Sequence, residues 1–180
     1  MTHYDLCKLT AERFVKKAQI ALYEYKSGSY EEPDVLTFNY NVSTLYEIKM
    51  SRSDFKADKM KECRTKWKPK GYWNFKNNPN LIKFDAFYKQ YWPELYYIEA
   101  PHLGKYRYYV CPSGLLKPEE IPEGWGLYWV KNGRFYKKKA SKSFKRNLFA
   151  ENNILVHALR RLGRHGPKGI LFRIYQNEVI

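Results

Sequence analysis

Residues Glu31 to Asp58 read E-E-P-D-V-L-T-F-N-Y-N-V-S-T-L-Y-E-I-K-M-S-R-S-D-F-K-A-D, and the order of polar and apolar positions along them decides the fold. Val35, Leu36 and Phe38, then Leu45, Tyr46, Ile48 and Met50, read as two short strands joined across Asn39-Tyr40-Asn41-Val42, where the asparagines favour a turn. A symmetric turn of two or four residues centred between Tyr40 and Asn41 sets Asp34 opposite Glu47, and opposed residues share a face. Lys49 lies two residues past Glu47, so strand alternation returns it to that face while Ile48 turns into the core. Asp34, Glu47 and Lys49 are therefore expected to converge. Ser51-x-x-Asp54 follows as a capping-box variant at the head of a helix predicted to run to about Cys63, with Arg52, Lys56, Lys59 and Lys61 leaving it basic.

Outward from this segment, Leu9 to Tyr25 carries Phe14, Ala18, Ala21, Leu22 and Tyr25 at helical spacing, with Ser27-Gly28-Ser29 as the stop, which predicts a first helix. Residues 64–105 change character, mixing Lys, Asn and Pro with many aromatics, and read as an insertion within a single domain covering 1–180. Their rings suit either stacking on unpaired bases along a basic groove or a satellite aromatic core. Tyr106 to Val110 and Gly126 to Val130 read as buried strands, separated by a loop rich in proline and glycine. Lys131-Asn132-Gly133-Arg134 is a hairpin turn by its Asn-Gly pair. A lysine block precedes an amphipathic helix predicted over Phe144 to Leu162, and Ile170 to Tyr175 reads as a last strand.

Lys and Arg total 33 against 18 Asp and Glu, a net charge of +15 on 180 residues, which predicts salt-sensitive attraction to polyanions and makes nucleic acid the expected partner. Arg52, Lys56, Lys59, Lys137, Lys138 and Lys139 are the candidate phosphate contacts; a lysine run equally suits a plain solvated surface. The three cysteines are odd in number and widely spaced, and the four histidines have no zinc-ligand spacing, so neither a disulfide framework nor a zinc site is expected. The N-terminus shows no secretory signal, and no apolar run approaches the roughly 20 residues of a membrane span. A soluble, cytoplasmic protein without a membrane partner is expected.

Hydrolysing a phosphodiester near neutral pH calls for a metal that lowers the pKa of water and offsets the charge growing on phosphate. Two facing carboxylates hold Mg²⁺, or Mn²⁺ in its place, through hard oxygens. Asp34 and Glu47 fit that role, the Ile48 carbonyl is a further candidate ligand, and Lys49 suits orienting the attacking water or steadying the phosphate. An Asp followed thirteen residues later by Glu-x-Lys is common in a chain this charged. A Pro-Asp strand start, a short turn, Glu-x-Lys at a strand end and a capped helix directly after it coincide far less often. Two other readings stand beside the nuclease: a non-catalytic nucleic-acid-binding module, motivated by the basic aromatic insertion, and a protein-interaction domain in which the triad is only an ion pair.

P-D-V-L followed by Y-E-I-K-M-S-R-S-D-F-K-A-D resembles the PD-(D/E)XK (restriction-endonuclease-like) nuclease superfamily and, within it, the MmcB-like DNA repair proteins, in which E-[IV]-K-S-S-x-x-D-F-x-x-D is characteristic. Y-R-Y-Y-V-C-P and I-P-E-G-W-G-L-Y-W-V resemble the strand, proline turn and strand that follow in that family. The resemblance covers Glu31 to Cys63 and Tyr106 to Arg146. It implies an α/β fold with an αβββαβ core, a mixed sheet flanked by helices, and Mg²⁺-dependent hydrolysis of DNA, in repair, recombination or phage DNA processing, with RNA an open second substrate. By matching position Asp34 is the motif aspartate, Glu47 the metal-binding glutamate and Lys49 the catalytic lysine. Members often add a glutamate from the first helix, for which Glu12 is the candidate, although a Glu near a helix start also serves the helix dipole. Ser51, Asp54 and Asp58 match as well, in capping and helix-surface roles. Small basic nucleases of this class often act as homodimers on duplex DNA. Met50, where a small polar residue is usual, and the insertion depart from the pattern.

Overall fold

Thr2 starts the first element: its hydroxyl accepts from the Asp5 amide at 3.2 Å while Asp5 Oδ2 accepts from the Thr2 amide at 2.7 Å, a reciprocal capping box. The helix so begun, α1, spans His3–Val15. The computed structural model describes residues 1–26, 31–58, 103–166 and 169–172. Within them the order continues as β1 (Ile20–Tyr23), β2 (Val35–Asn39), β3 (Val42–Ile48), α2 (Arg52–Asp58), β4 (Tyr106–Pro112), a 3-10 turn at Pro118–Glu120, β5 (Gly126–Lys131), β6 (Arg134–Lys139), α3 (Leu148–His165) and β7 (Ile170–Phe172). The predicted insertion lies, except for residues 103–105, outside the described residues, as does the course of the second helix beyond Asp58.

The seven strands form one mixed sheet in the order β6-β5-β4-β3-β2-β1-β7, parallel at β3–β4 and β4–β5 and antiparallel elsewhere. Its two faces carry separate cores. On one, Leu6, Cys7, Ala11 and Phe14 of α1 pack against Ala21, Val35, Tyr46, Ile48 and Val110. On the other, Phe55 of α2 and Ile154 and Ala158 of α3 cover Leu22, Leu36, Leu45, Tyr109 and Leu127. The molecule is thus α/β, a mixed sheet flanked by helices. Among the described residues no helix is long and apolar enough to cross a membrane.

The predicted first helix over Leu9 to Tyr25 is corrected: α1 starts six residues earlier, ends at Val15, and Ile20–Tyr23 is a strand. Leu22 faces one core and Ala21 and Tyr23 the other, so the strand is apolar on both sides. A short run of that kind fits either period, and periodicity alone does not separate the two. Asn147, whose side chain accepts from the Ala150 amide at 3.0 Å, likewise starts α3 later than the predicted Phe144.

Across the second face runs a polar clamp. Buried Glu151 of α3 accepts from Ser43 Oγ at 2.6 Å and the Gly104 amide at 2.9 Å through Oε1, and from Arg146 Nη1 at 3.0 Å through Oε2. Arg146 also reaches the Asn41 carbonyl in the β2–β3 turn. Gly104 has to be glycine: at φ +82° any Cβ would sit 2.8 Å from Leu45 and from the Tyr106 carbonyl. Glu151→Ala strips three donors of their shared acceptor and is expected to cost about 3 kcal/mol in urea unfolding, with Glu151→Gln milder. A loss below about 1 kcal/mol would show that water replaces the carboxylate freely.

Candidate active site

A two-residue turn at Tyr40 and Asn41, with Tyr40 at φ +50°, fixes the hairpin register as Asn39 against Val42 and Val35 against Tyr46. Continued one position past its last pair, that register sets Asp34 opposite Glu47, as the sequence predicts. Asp34 Oδ2 accepts the Ile48 amide at 2.7 Å, a bond that ties the head of β2 to the end of β3. Glu47 and Lys49 are 1% and 2% exposed, and Lys49 Nζ lies 3.1 Å from Glu47 Oε2. The Lys49 amide donates to the Val110 carbonyl at 2.9 Å, so pairing with β4 continues one residue past β3 and holds the lysine backbone in place.

Lys49 Nζ is also 3.1 Å from Asp58 Oδ1 and 4.0 Å from Asp54 Oδ1, and Tyr109 donates its hydroxyl to Asp58 Oδ2 at 2.7 Å. The helix-surface role expected for Asp58 is corrected: it is 1% exposed, because Asp54 and Asp58 stand one helical turn apart on the side of α2 that faces Lys49. Ser51 does cap α2, accepting from the Asp54 amide at 3.1 Å.

Asp34 is flanked on its other side by α1. His3 Nε2 lies 3.6 Å from Asp34 Oδ2, and His3 Nδ1 lies 3.1 Å from Glu24 Oε1. Cys7, buried one turn along α1, points its Sγ at the same Glu24 oxygen at 3.2 Å and sits 3.5 Å from His3 Nδ1. Burial alone would raise the Asp34 pKa, but the facing His3 ring, the Lys49 ammonium and the Ile48 amide outweigh it and hold the carboxyl below its usual range. The neighbouring Asp34 carboxylate in turn raises the pKa of His3 against the opposing effect of burial. Burial, seconded by the hydrogen bond to Glu24, pushes the Cys7 thiol up.

Sequence reasoning missed His3, Cys7 and Glu24 as neighbours of this site. The sequence carries no signal for this group: the expected helix begins at Leu9, past His3 and Cys7, and Glu24 joins them only because Ile20–Tyr23 is a strand.

Glu12, the first-helix candidate for the metal shell, is not brought to the site. It is exposed and lines an open groove with Leu9, Arg13, Lys16, Arg134 and Tyr136. Nine residues separate it from His3, which at about 100° per residue puts the two on opposite sides of α1. The candidate phosphate contacts divide. Arg52 is paired with Glu120 and donates to the Leu115 carbonyl at 3.0 Å, and Lys139 Nζ caps the Ile121 carbonyl at 2.8 Å. Lys56 and Lys137 are exposed, Lys138 lies over the Trp129 ring at 4.6 Å, and Lys59 is outside the described residues. By strand pairing, Ile48, Val110, Tyr128 and Lys137 form one transverse row across the sheet, so the lysine strand runs level with the site three strands away.

No family model and no curated protein matches this sequence. A protein of unknown function from Silicibacter pomeroyi has a solved structure similar to this chain, at a TM-score of 0.52 and 15% identity over 95% of this chain and 94% of that one. A likeness at that identity concerns the fold: a mixed sheet flanked by helices.

Proposed function

We propose that this protein is a metal-dependent nuclease of the PD-(D/E)XK type, close to the MmcB-like repair proteins, that hydrolyses phosphodiester bonds of DNA. The observation that carries this reading is the hairpin register, which extended one position past Val35 and Tyr46 sets Asp34 opposite Glu47, with Lys49 Nζ 3.1 Å from the glutamate. The two carboxylates are hard oxygen donors on neighbouring strands, which is the donor set Mg²⁺ or Mn²⁺ takes, and the Ile48 carbonyl joins them as a third candidate. A bound ion would supply charge neutralisation at the phosphate and acidify water.

The chain's own groups do the rest. Lys49 holds a fixed positive charge at the strand end, suited to the phosphate oxygens or to orienting a water for in-line attack. Asp58, held by Tyr109, sets a second carboxylate 3.1 Å from the ammonium, so the buried lysine is fixed in orientation beside Glu47. Exposed Lys56, Lys137 and Lys138 supply the sequence-independent grip on the backbone that a charge of +15 favours.

Labelled single-stranded, duplex and forked DNA incubated with Mg²⁺ or Mn²⁺ tests the reading. Cutting that appears only with the ion supports it and ranks the substrates. Salt-sensitive retention of all three DNAs with no product in either ion would replace it with a non-catalytic nucleic-acid-binding module.

A further inference from the structure

His3 Nδ1, Cys7 Sγ and Glu24 Oε1 form a small triangle with edges of 3.1, 3.2 and 3.5 Å. A tetrahedral zinc bonded to nitrogen, oxygen and sulfur at ordinary lengths sets donor–donor edges of about 3.3–3.6 Å. The three donors therefore already stand within a few tenths of an ångström of a zinc ligand set. We propose that His3, Cys7 and Glu24 form a zinc site beside Asp34, with three donors of its own that are not among the Mg²⁺ donors but adjoin them through the Asp34 carboxylate.

Two further observations point the same way. His3 turns its second ring nitrogen, Nε2, toward Asp34 Oδ2 at 3.6 Å. At 3.6 Å this is an ion-pair contact and not a hydrogen bond, but it is oriented as in the carboxylate–histidine–metal arrangement, in which an outer carboxylate faces the free ring N–H and leaves the other nitrogen's lone pair aimed at the ion. Glu24 is one of three non-glycine residues with positive φ among the described residues, at +48°, and its amide is held by the Asp34 carbonyl at 2.9 Å. A left-handed glutamate carries a steric cost, and here that conformation turns the carboxylate back onto α1 instead of out along the strand.

The donor chemistry selects the metal. A thiolate with an imidazole and one carboxylate suits zinc and disfavours Mg²⁺, which takes oxygen. On binding, the Cys7 S–H bond breaks, its proton leaves to solvent, and the sulfur lone pair forms the Zn–S bond. His3 binds through neutral Nδ1 with its proton on Nε2, and no electron transfer is involved. Three protein ligands leave a fourth position for water or a phosphate oxygen, the pattern of an open site. Without metal, the same three groups are a hydrogen-bonded cluster around one glutamate oxygen, and the two states differ in a spectroscopic signature.

Metal-free full-length protein titrated with Co²⁺ is expected to take up one equivalent with intense tetrahedral d–d bands and a thiolate-to-cobalt charge-transfer band, all bleached by one equivalent of Zn²⁺. Cys7→Ala should abolish the charge-transfer band, which separates Cys7 from Cys63 and Cys111. Glu24→Gly relieves the positive φ, so it should fold at least as well as the parent while weakening zinc by about 100-fold or more, and His3→Ala should weaken it similarly. Cobalt bound without a thiolate band, or a band that survives in Cys7→Ala, overturns the site. So does failure to bind zinc while Mg²⁺-dependent cleavage is intact, an outcome that leaves the nuclease reading standing.

Discussion

Glu47→Gln is expected to lower Mg²⁺-dependent DNA cleavage by at least about 10³-fold, and Asp34→Asn by a comparable factor, with DNA retention at low salt changed by less than about two-fold. Both substitutions keep side-chain shape while removing the charge and turning one acceptor oxygen into an amide donor. Glu47 is 1% exposed and sits opposite Asp34, so neither is placed to contribute to the diffuse attraction that retains DNA. That attraction is spread over the surface lysines and should survive. Cleavage rates under single-turnover conditions, beside filter binding of the same DNA, separate the two effects. Equal loss of binding and cutting would place these carboxylates in structural support and remove the catalytic assignment.

Lys49→Met is expected to destabilise the fold by about 3–5 kcal/mol, more than either Glu47→Gln or Asp58→Asn alone. Lys49 is shared by Glu47 and Asp58, each 3.1 Å away, and all three are at most 2% exposed. Methionine fills much of the same volume, so the cost comes from electrostatics: two buried carboxylates lose their common cation and face each other as like charges. Adding Glu47→Gln and Asp58→Asn to Lys49→Met should recover a large part of the loss, because the triple variant removes the charge of both buried carboxylates along with that of the lysine and leaves only the more exposed Asp54 carboxylate of those the lysine pairs with here. Urea unfolding of the singles and the triple measures that coupling. If Lys49→Met costs under about 1 kcal/mol, water reaches the cluster and the lysine is not the buried keystone described here. The size of the effect also bears on the first experiment, since cleavage by lysine variants is meaningful only where they remain folded.

How far the sequence could be read depended on the range of the interactions involved. The register of the β2–β3 hairpin was legible because alternation and a turn centred on Tyr40 and Asn41 are local, whereas its strand ends were not: the second strand, expected over Leu45 to Met50, is Val42–Ile48. The Asn132-Gly133 turn was legible for the same reason, both residues having φ near the values that such a turn demands. Ile20–Tyr23 was misread because an apolar run covered on both faces carries no period of its own. Asp58 was misjudged because its burial depends on β4 delivering Tyr109 beside it, a partner 51 residues away in the chain. His3, Cys7 and Glu24 were invisible as a group for a related reason: only the misread strand brings the third of them home. Glu12 failed as a site residue because residue type and approximate position say nothing of which side of a helix meets the sheet.

The Glu151 clamp also has a kinetic meaning. Its bond to Ser43 spans 108 residues and that of Arg146 to the same serine spans 103, whereas the hairpin carrying Asp34 and Glu47 closes over a two-residue turn. Loop-closure entropy makes long-range contacts late events, so the hairpin should be formed in the folding transition state and the clamp largely unformed. Glu151→Ala is then expected to leave the refolding rate nearly unchanged and to appear almost entirely as faster unfolding, by about 100-fold for a loss near 3 kcal/mol. The clamp would act as a latch that sets how long the native molecule lasts, while the hairpin sets how quickly it is reached.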